Sequence, residues 1–251
     1  MEVHAHTHPS TSSGHRKKWT HYFWEFLMLF LAVFCGFLAE YQLEHKIEKE
    51  RGKQYVQSFR DDLCTDTAIL HSNIETLKRI SAAGDSLVTM FQEGKIESPA
   101  EVKKLYEYNI TSLSGFNVVL TDRTSAQLKN SGGMRLITNK KVIDGIVDYW
   151  AGVEAITKIE NFLQTMRMQA REKSYLIFYN KYYSETSTIS GRSILDNPHL
   201  MTKELTPLTE FSNRLAHVKN LMKGTYTRVL KTQITKADSL IKVINKEYHL
   251  K

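Results

Sequence analysis

Residues 22–39 read YFWEFLMLFLAVFCGFLA, the one long apolar run in a chain of 251 residues; the sequence beyond it is highly charged. About eighteen residues at helical rise cover roughly 27 Å, close to the hydrocarbon thickness that a crossing helix must match. Trp19, Trp24 and Tyr41 stand at the two ends of the run, where amphipathic rings favour the headgroup region. Arg16, Lys17 and Lys18 form a basic cluster just before it. Even a central helix of a soluble domain usually carries polar interruptions, and residues 26–39 carry none. The run therefore predicts a membrane anchor over residues 19–41, with a tail at 1–18 and an extramembrane domain at 42–251.

A basic segment ahead of an apolar core is also the design of a cleavable signal peptide. Here the region before the core is long, Gly36 and Ala39 are separated by Phe37 and Leu38, and Glu40 follows. Phe34 precedes Cys35, where a lipoprotein signal requires a small residue. The reading is an uncleaved signal anchor. Lys46, Lys49, Arg51 and Lys53 beyond the run balance the three basic residues before it, so a raw count does not orient the span. Glu40 and Glu44 come first on the far side, however, and a long domain can be translocated despite its charges. This predicts a cytoplasmic N-terminus and, in a bacterium, a periplasmic domain on a single-pass inner-membrane protein.

Glu25 lies inside the run, where an ionisable group is costly unless it reaches the interface or a partner. Snorkelling to the headgroups, helped by Lys18, is the plain expectation; pairing with a partner helix or an ion pathway is the functional one. The two cysteines, Cys35 and Cys64, are separated by about 44 Å if one helix carries both, so they cannot pair within a chain. Cys64 is expected as a small packing residue, with an interchain bridge in an oxidising compartment as the alternative. The net charge of +7 is spread over mixed-sign faces such as Glu44, Lys46, Glu48, Lys49 and Arg51, a solvated pattern that argues against nucleic acid. A mild basic excess also suits anionic headgroups or envelope polymers.

Beyond the anchor the chain reads as helices. Val56, Phe59, Leu63, Leu70, Ile74 and Leu77 keep three and four spacing, predicting one stripe on a helix that continues from the span to about Ile80, followed by a short segment, Asp85 to Gln92, ending at Gly94. Ser98, Pro99 and Glu101 have the form of a capping box, with Val102, Leu105 and Tyr106 facing inward. A second long helix is expected from Asn139 to Tyr182, with Val142, Ile146, Tyr149, Val153, Ile156, Leu163 and Met166 on its inner side. Residues 184–207, rich in Ser, Thr, Gly and Pro, read as a loop. Leu208, Phe211, Leu215, Val218, Met222, Val229, Ile234, Ile241 and Ile244 define a last long helix. Three such amphipathic helices must bury their stripes on one another or on a second copy. The expected fold class is all-α: one N-terminal transmembrane helix continuing into an elongated antiparallel helical bundle.

Several segments together resemble an uncharacterised family of single-pass envelope proteins of Bacteroidota. They are Glu25 within FWEFL, Gly36 to Ala39, residues 55–66 (YVQSFRDDLCTD), and Leu128 to Ile137 (LKNSGGMRLI) followed by Asn139 and Lys140. The His-rich tail and Cys64 depart from that pattern. The resemblance implies architecture and location and carries no activity.

Candidate chemistry is sparse. His4, His6 and His8 alternate in the tail with His15 further on, a weak metal-ligand pattern against the plainer reading of a solvated tail. Ser131, Gly132, Gly133 and Arg135 could form an anion nest, but no strand precedes them and no Gly-Lys-Ser/Thr follows. They read instead as a helix end and tight turn, with a positive φ expected at Gly133. Asp61, Asp62 and Asp66 beside Arg60 read as a solvated face before a cation site. His21, His45, His71, His199, His217 and His249 are scattered, without a nucleophile or paired acid in a recognisable arrangement. No catalytic residue and no cofactor is assigned. The expectation is a non-enzymatic adaptor, scaffold or accessory subunit that contacts the lipid bilayer and a homo-oligomeric or envelope partner. A ligand-sensing domain signalling through a membrane partner is the alternative.

Overall fold

The computed structural model describes residues 15–188 and 191–250, with side chains at 19–184 and 193–250. It is an all-α protein with one small hairpin, and it divides into two units, Met1–Arg51 and Gly52–Lys251. Helix α1, His15–Gln92, begins in the first unit and supplies the first leg of the second. Within residues 19–43 its large apolar side chains other than the partly buried Leu27 are exposed, from Leu31 at 44% to Trp19 at 78%. This part of α1 is long and apolar enough to cross a membrane.

The second unit is built from four passes. The first is α1 from Gly52 onward; the helix runs twelve residues beyond the expected Ile80, because Ala83 and Leu87 continue the buried stripe. It stops where Gly94 adopts φ +68°. The chain returns through α2, Pro99–Ser112, an irregular strap at residues 114–122, and α3, Arg123–Asn130. The third pass is α4, Lys140–Ser174, and the fourth is α5, Leu205–Leu221, joined to α6, Thr227–Tyr248, through a π-helical turn at Met222–Tyr226. Consecutive passes run antiparallel. Asp66 of α1 meets Tyr149 of α4, whereas Asp85, further along α1, meets Lys219 of α5.

Local sequence explains the ends. Ser98 accepts from the Glu101 amide and Glu101 accepts from the Ser98 amide, with Pro99 in the first turn, as the capping box predicts. Asn139 caps α4 by accepting from Val142 N–H and ties it to α6 by donating to Glu247 at 2.8 Å. α4 ends at Ser174, short of the expected Tyr182, because the amides of Ile177 and Phe178 turn back onto the Ser174 carbonyl. The expected loop at 184–207 is partly ordered: β1, Tyr183–Thr188, pairs antiparallel with β2, Gly191–Ile194. Leu205 and Pro207 already belong to α5, where proline is tolerated in the first turn. The expected last long helix runs without a gap from Leu205 to Tyr248, with the π turn as a local widening inside it.

Two apolar cores lie along this unit. One joins Val56, Phe59 and Leu63 of α1 to Val142 and Ile146 of α4 and Leu240 and Ile244 of α6. The other joins Leu70, Leu77 and Leu87 to Ile156 and Leu163 of α4, Phe211 and Leu215 of α5, and Tyr226 and Leu230 at the start of the last helix. Between them sits a polar layer of Asp66, Tyr149 and Gln233, 1%, 3% and 1% exposed.

Candidate functional site

In the second pass, residues 114–122 form no helix, so their peptide groups lack helical partners and need others. Charged side chains of α1 and α4 provide them. Arg171 Nη2 donates to the Leu113 carbonyl at 2.6 Å, and Arg167 Nη1 to the Ser114 carbonyl at 3.2 Å. Val118 N–H donates to Glu160 at 2.8 Å, Thr121 N–H to Asp66 at 2.7 Å, and Thr124 N–H, just past the strap, to Asp62 at 3.2 Å. These anchors fix the strap at both ends and in its middle.

Asp62 and Asp66 are thus buried, at 8% and 1% exposure, and correct the expectation of a solvated acidic face; only Asp61 of the three is exposed. Asp66 also accepts from Tyr149 Oη at 2.6 Å and Thr121 Oγ1 at 2.9 Å. Burial nevertheless pushes its carboxyl above the ordinary value, outweighing these bonds, with the nearby Asp62 charge adding to the shift. Tyr149 is driven up by its own burial and by Asp66. Tyr226 repeats the arrangement, donating to Glu160 at 2.5 Å. The signal in sequence for these pairs was only that Asp62 and Asp66 flank Leu63, on the inward side of the stripe; their partners lie more than fifty residues away.

At the Leu113 end of the strap a half-open cleft of about 320 Å³ lies between the ends of α2 and α4 and the start of the hairpin. Arg171, Asn109, Ser114, Ser174, Asn180 and Tyr183 supply its polar wall; Ile110, Tyr175 and Phe178 are among its apolar lining. Arg167, one turn before Arg171 and 5% exposed, packs its guanidinium over the Phe116 ring. Its pKa is lowered by burial and then by Arg171. Neither arginine has a carboxylate within 4 Å among the described residues. Tyr106 closes the neighbouring core: its hydroxyl donates to the His199 carbonyl at 2.7 Å and accepts from Tyr179 N–H at 2.9 Å, and burial pushes it up to about 12.

The residues singled out from sequence fall elsewhere. Trp19, Trp24 and Tyr41 are 78%, 61% and 61% exposed, and Glu25 pairs with His21 one turn earlier, at 3.2 Å. Cys64 is exposed and free, which overturns its reading as a packing residue; its position in α1 faces away from the stripe. Gly132 carries the positive φ, +67°, while Gly133 is buried where a Cβ would lie 3.2 Å from Tyr55 and 3.3 Å from Leu128. The turn expectation holds, with the roles of the two glycines exchanged. Ser131 and Arg135 belong to that turn. His4, His6 and His8 lie outside the described residues. Among the described residues, no group of three His, Cys, Asp or Glu is placed to hold a metal ion.

Comparisons with protein-family models, curated proteins and solved structures find no match.

Proposed function

We propose that this chain is a single-pass membrane protein whose helical domain acts outside the cytoplasm as a non-enzymatic adaptor, scaffold or accessory subunit. The observation that carries the reading is the contrast within one helix. From Val56 onward α1 buries its apolar stripe at 0–5% exposure for Val56, Phe59, Leu63, Leu70 and Ile74, whereas residues 19–43 expose apolar side chains on every side. A contiguous apolar surface of this kind calls for lipid or another apolar surface. The flanking tryptophans and the basic cluster at 16–18 favour lipid and a cytoplasmic N-terminus. The resemblance to envelope proteins of Bacteroidota agrees with an inner-membrane location.

The test uses the full chain with a C-terminal tag in bacterial spheroplasts. Retention in the membrane pellet through alkaline carbonate extraction, together with digestion of the tag by external protease, is the expected result. Release by carbonate would overturn the anchor, and protection of the tag until lysis would reverse the topology. The cleft beside Arg171 favours a second reading, ligand sensing through a membrane partner.

A further inference from the structure

We infer that the cleft at the junction of α2, α4 and the hairpin binds a small organic acid that carries a hydroxyl or amino donor next to its carboxylate. This inference does not depend on the membrane reading, since every residue it uses belongs to the second unit.

The anionic half of the ligand is set by Arg171. Its Nη2 is engaged with the Leu113 carbonyl, which fixes the guanidinium at the cleft wall and leaves its remaining N–H donors available. Arg167 lies behind it, buried, with its Nε unpartnered and its other donors held by the Ser114 carbonyl and Gln164. Two guanidiniums so close, with no carboxylate beside either, give the cleft a positive potential that the carbonyls offset only in part. A monoanion at Arg171 restores the balance and gains a charge-assisted, geometrically matched pair.

The donor half is set by Asn109. This side chain is 5% exposed, lines the cleft, and gives its Nδ2 to Tyr183 Oη at 2.7 Å, yet its Oδ1 has no donor in the protein. A buried amide oxygen left in that state is destabilising, and a ligand N–H or O–H that reaches it from the cleft removes the deficit. The two serines of the wall reinforce the preference. Ser114 Oγ donates to the Ile110 carbonyl and Ser174 Oγ to the Arg171 carbonyl, so both present acceptor lone pairs to the cleft. The polar wall thus sets one cationic donor, Arg171, beside the acceptor oxygens of Asn109, Ser114 and Ser174, with Asn180 and Tyr183 completing the lining, and this pairing complements a hydroxy or amino acid. Ile110, Tyr175 and Phe178 add an apolar surface for a hydrocarbon or aromatic substituent.

The test compares four matched probes on the full chain in detergent micelles by isothermal titration: 3-phenyllactate, phenylalanine, 3-phenylpropionate and phenethylamine. Saturable binding of phenyllactate or phenylalanine is expected, with 3-phenylpropionate, which lacks the donor, at least about tenfold weaker. Phenethylamine, which lacks the carboxylate, is expected not to bind. Arg171→Gln should abolish binding, and because that change also removes a strap contact, Ser174→Phe serves as a second variant that fills the cleft and keeps both guanidiniums, at the loss of the Ser174 Oγ bond to the Arg171 carbonyl. Absence of saturable binding of both acids, equal binding of 3-phenylpropionate, binding of phenethylamine, or undiminished affinity in a folded Ser174→Phe chain would each overturn the assignment.

Discussion

Asp66 shows how far a single buried side chain can diverge from its appearance in sequence. Its folded pKa lies above the ordinary 3.8, so between 3.8 and that raised value the folded chain holds a proton that the unfolded chain has released. Stability contributed by the protonated carboxyl is therefore present at low pH and lost as pH rises through the window. Asp66→Asn keeps an oxygen for Thr121 and presents an amide to the Tyr149 hydroxyl, which can turn to accept. Urea unfolding from about pH 4 to about pH 7 should then show the variant gaining on the wild type as pH rises; parallel pH slopes would exclude Asp66 as the source. Tyr149→Phe withdraws one donor from the same carboxylate and should cost about 1–3 kcal/mol at neutral pH, read from the urea midpoint. The adjacent glycines of the α3–α4 turn separate in the same way. Gly132→Ala should cost about 1 kcal/mol from backbone conformation, whereas Gly133→Ala, which must displace Tyr55 or Leu128, should cost about 1–3 kcal/mol from crowding. A melting temperature unchanged by either substitution would remove the corresponding requirement.

At the scale of elements, capping and close approach decide the outcome. Ser98→Ala removes the half of the capping box in which the Ser98 hydroxyl accepts from the Glu101 amide, leaving Glu101 to accept from the backbone N–H of residue 98, and should cost about 1 kcal/mol, with faster amide exchange confined to the first turns of α2. Exchange that rose equally throughout the domain would instead make that cap part of the global unfolding unit. α4 and α6 meet where a Cβ on Gly152 would collide with Oε1 of Gln233, whose amide is already committed to the Tyr149 carbonyl at 3.0 Å. Gly152→Ala should therefore lower the melting temperature more than Gly132→Ala. Helices were legible where the three and four spacing ran unbroken, as from Val56 to Leu77, and where a cap was spelled out locally, as at Ser98 and Asn139. The hairpin was not legible, because the Ser and Thr residues that form β1 also suit a loop. The π turn was hidden as well: Met222, Tyr226 and Leu230 keep a spacing of four that also reads as a continuing helix.

At the scale of the molecule, four antiparallel passes form two apolar cores around a polar layer, and one pass has given up helix in its middle. The three long helices were visible in the apolar periodicity, but the strap was not. Its holders, Asp62, Asp66, Glu160, Arg167 and Arg171, are recruited from two other passes, and no local pattern around Ser114 or Val118 announces them. The strap also inverts the usual division between framework and connection. Because it is held through its peptide groups, which every residue type except proline shares in full, its outward side chains are nearly free to change. In a deep mutational scan Asn117 and Val119, both exposed, should accept most substitutions apart from proline, while the five charged holders accept few. Descent with modification would leave the same imprint, a short segment of drifting spelling bracketed by charges that stay constant on helices distant in sequence.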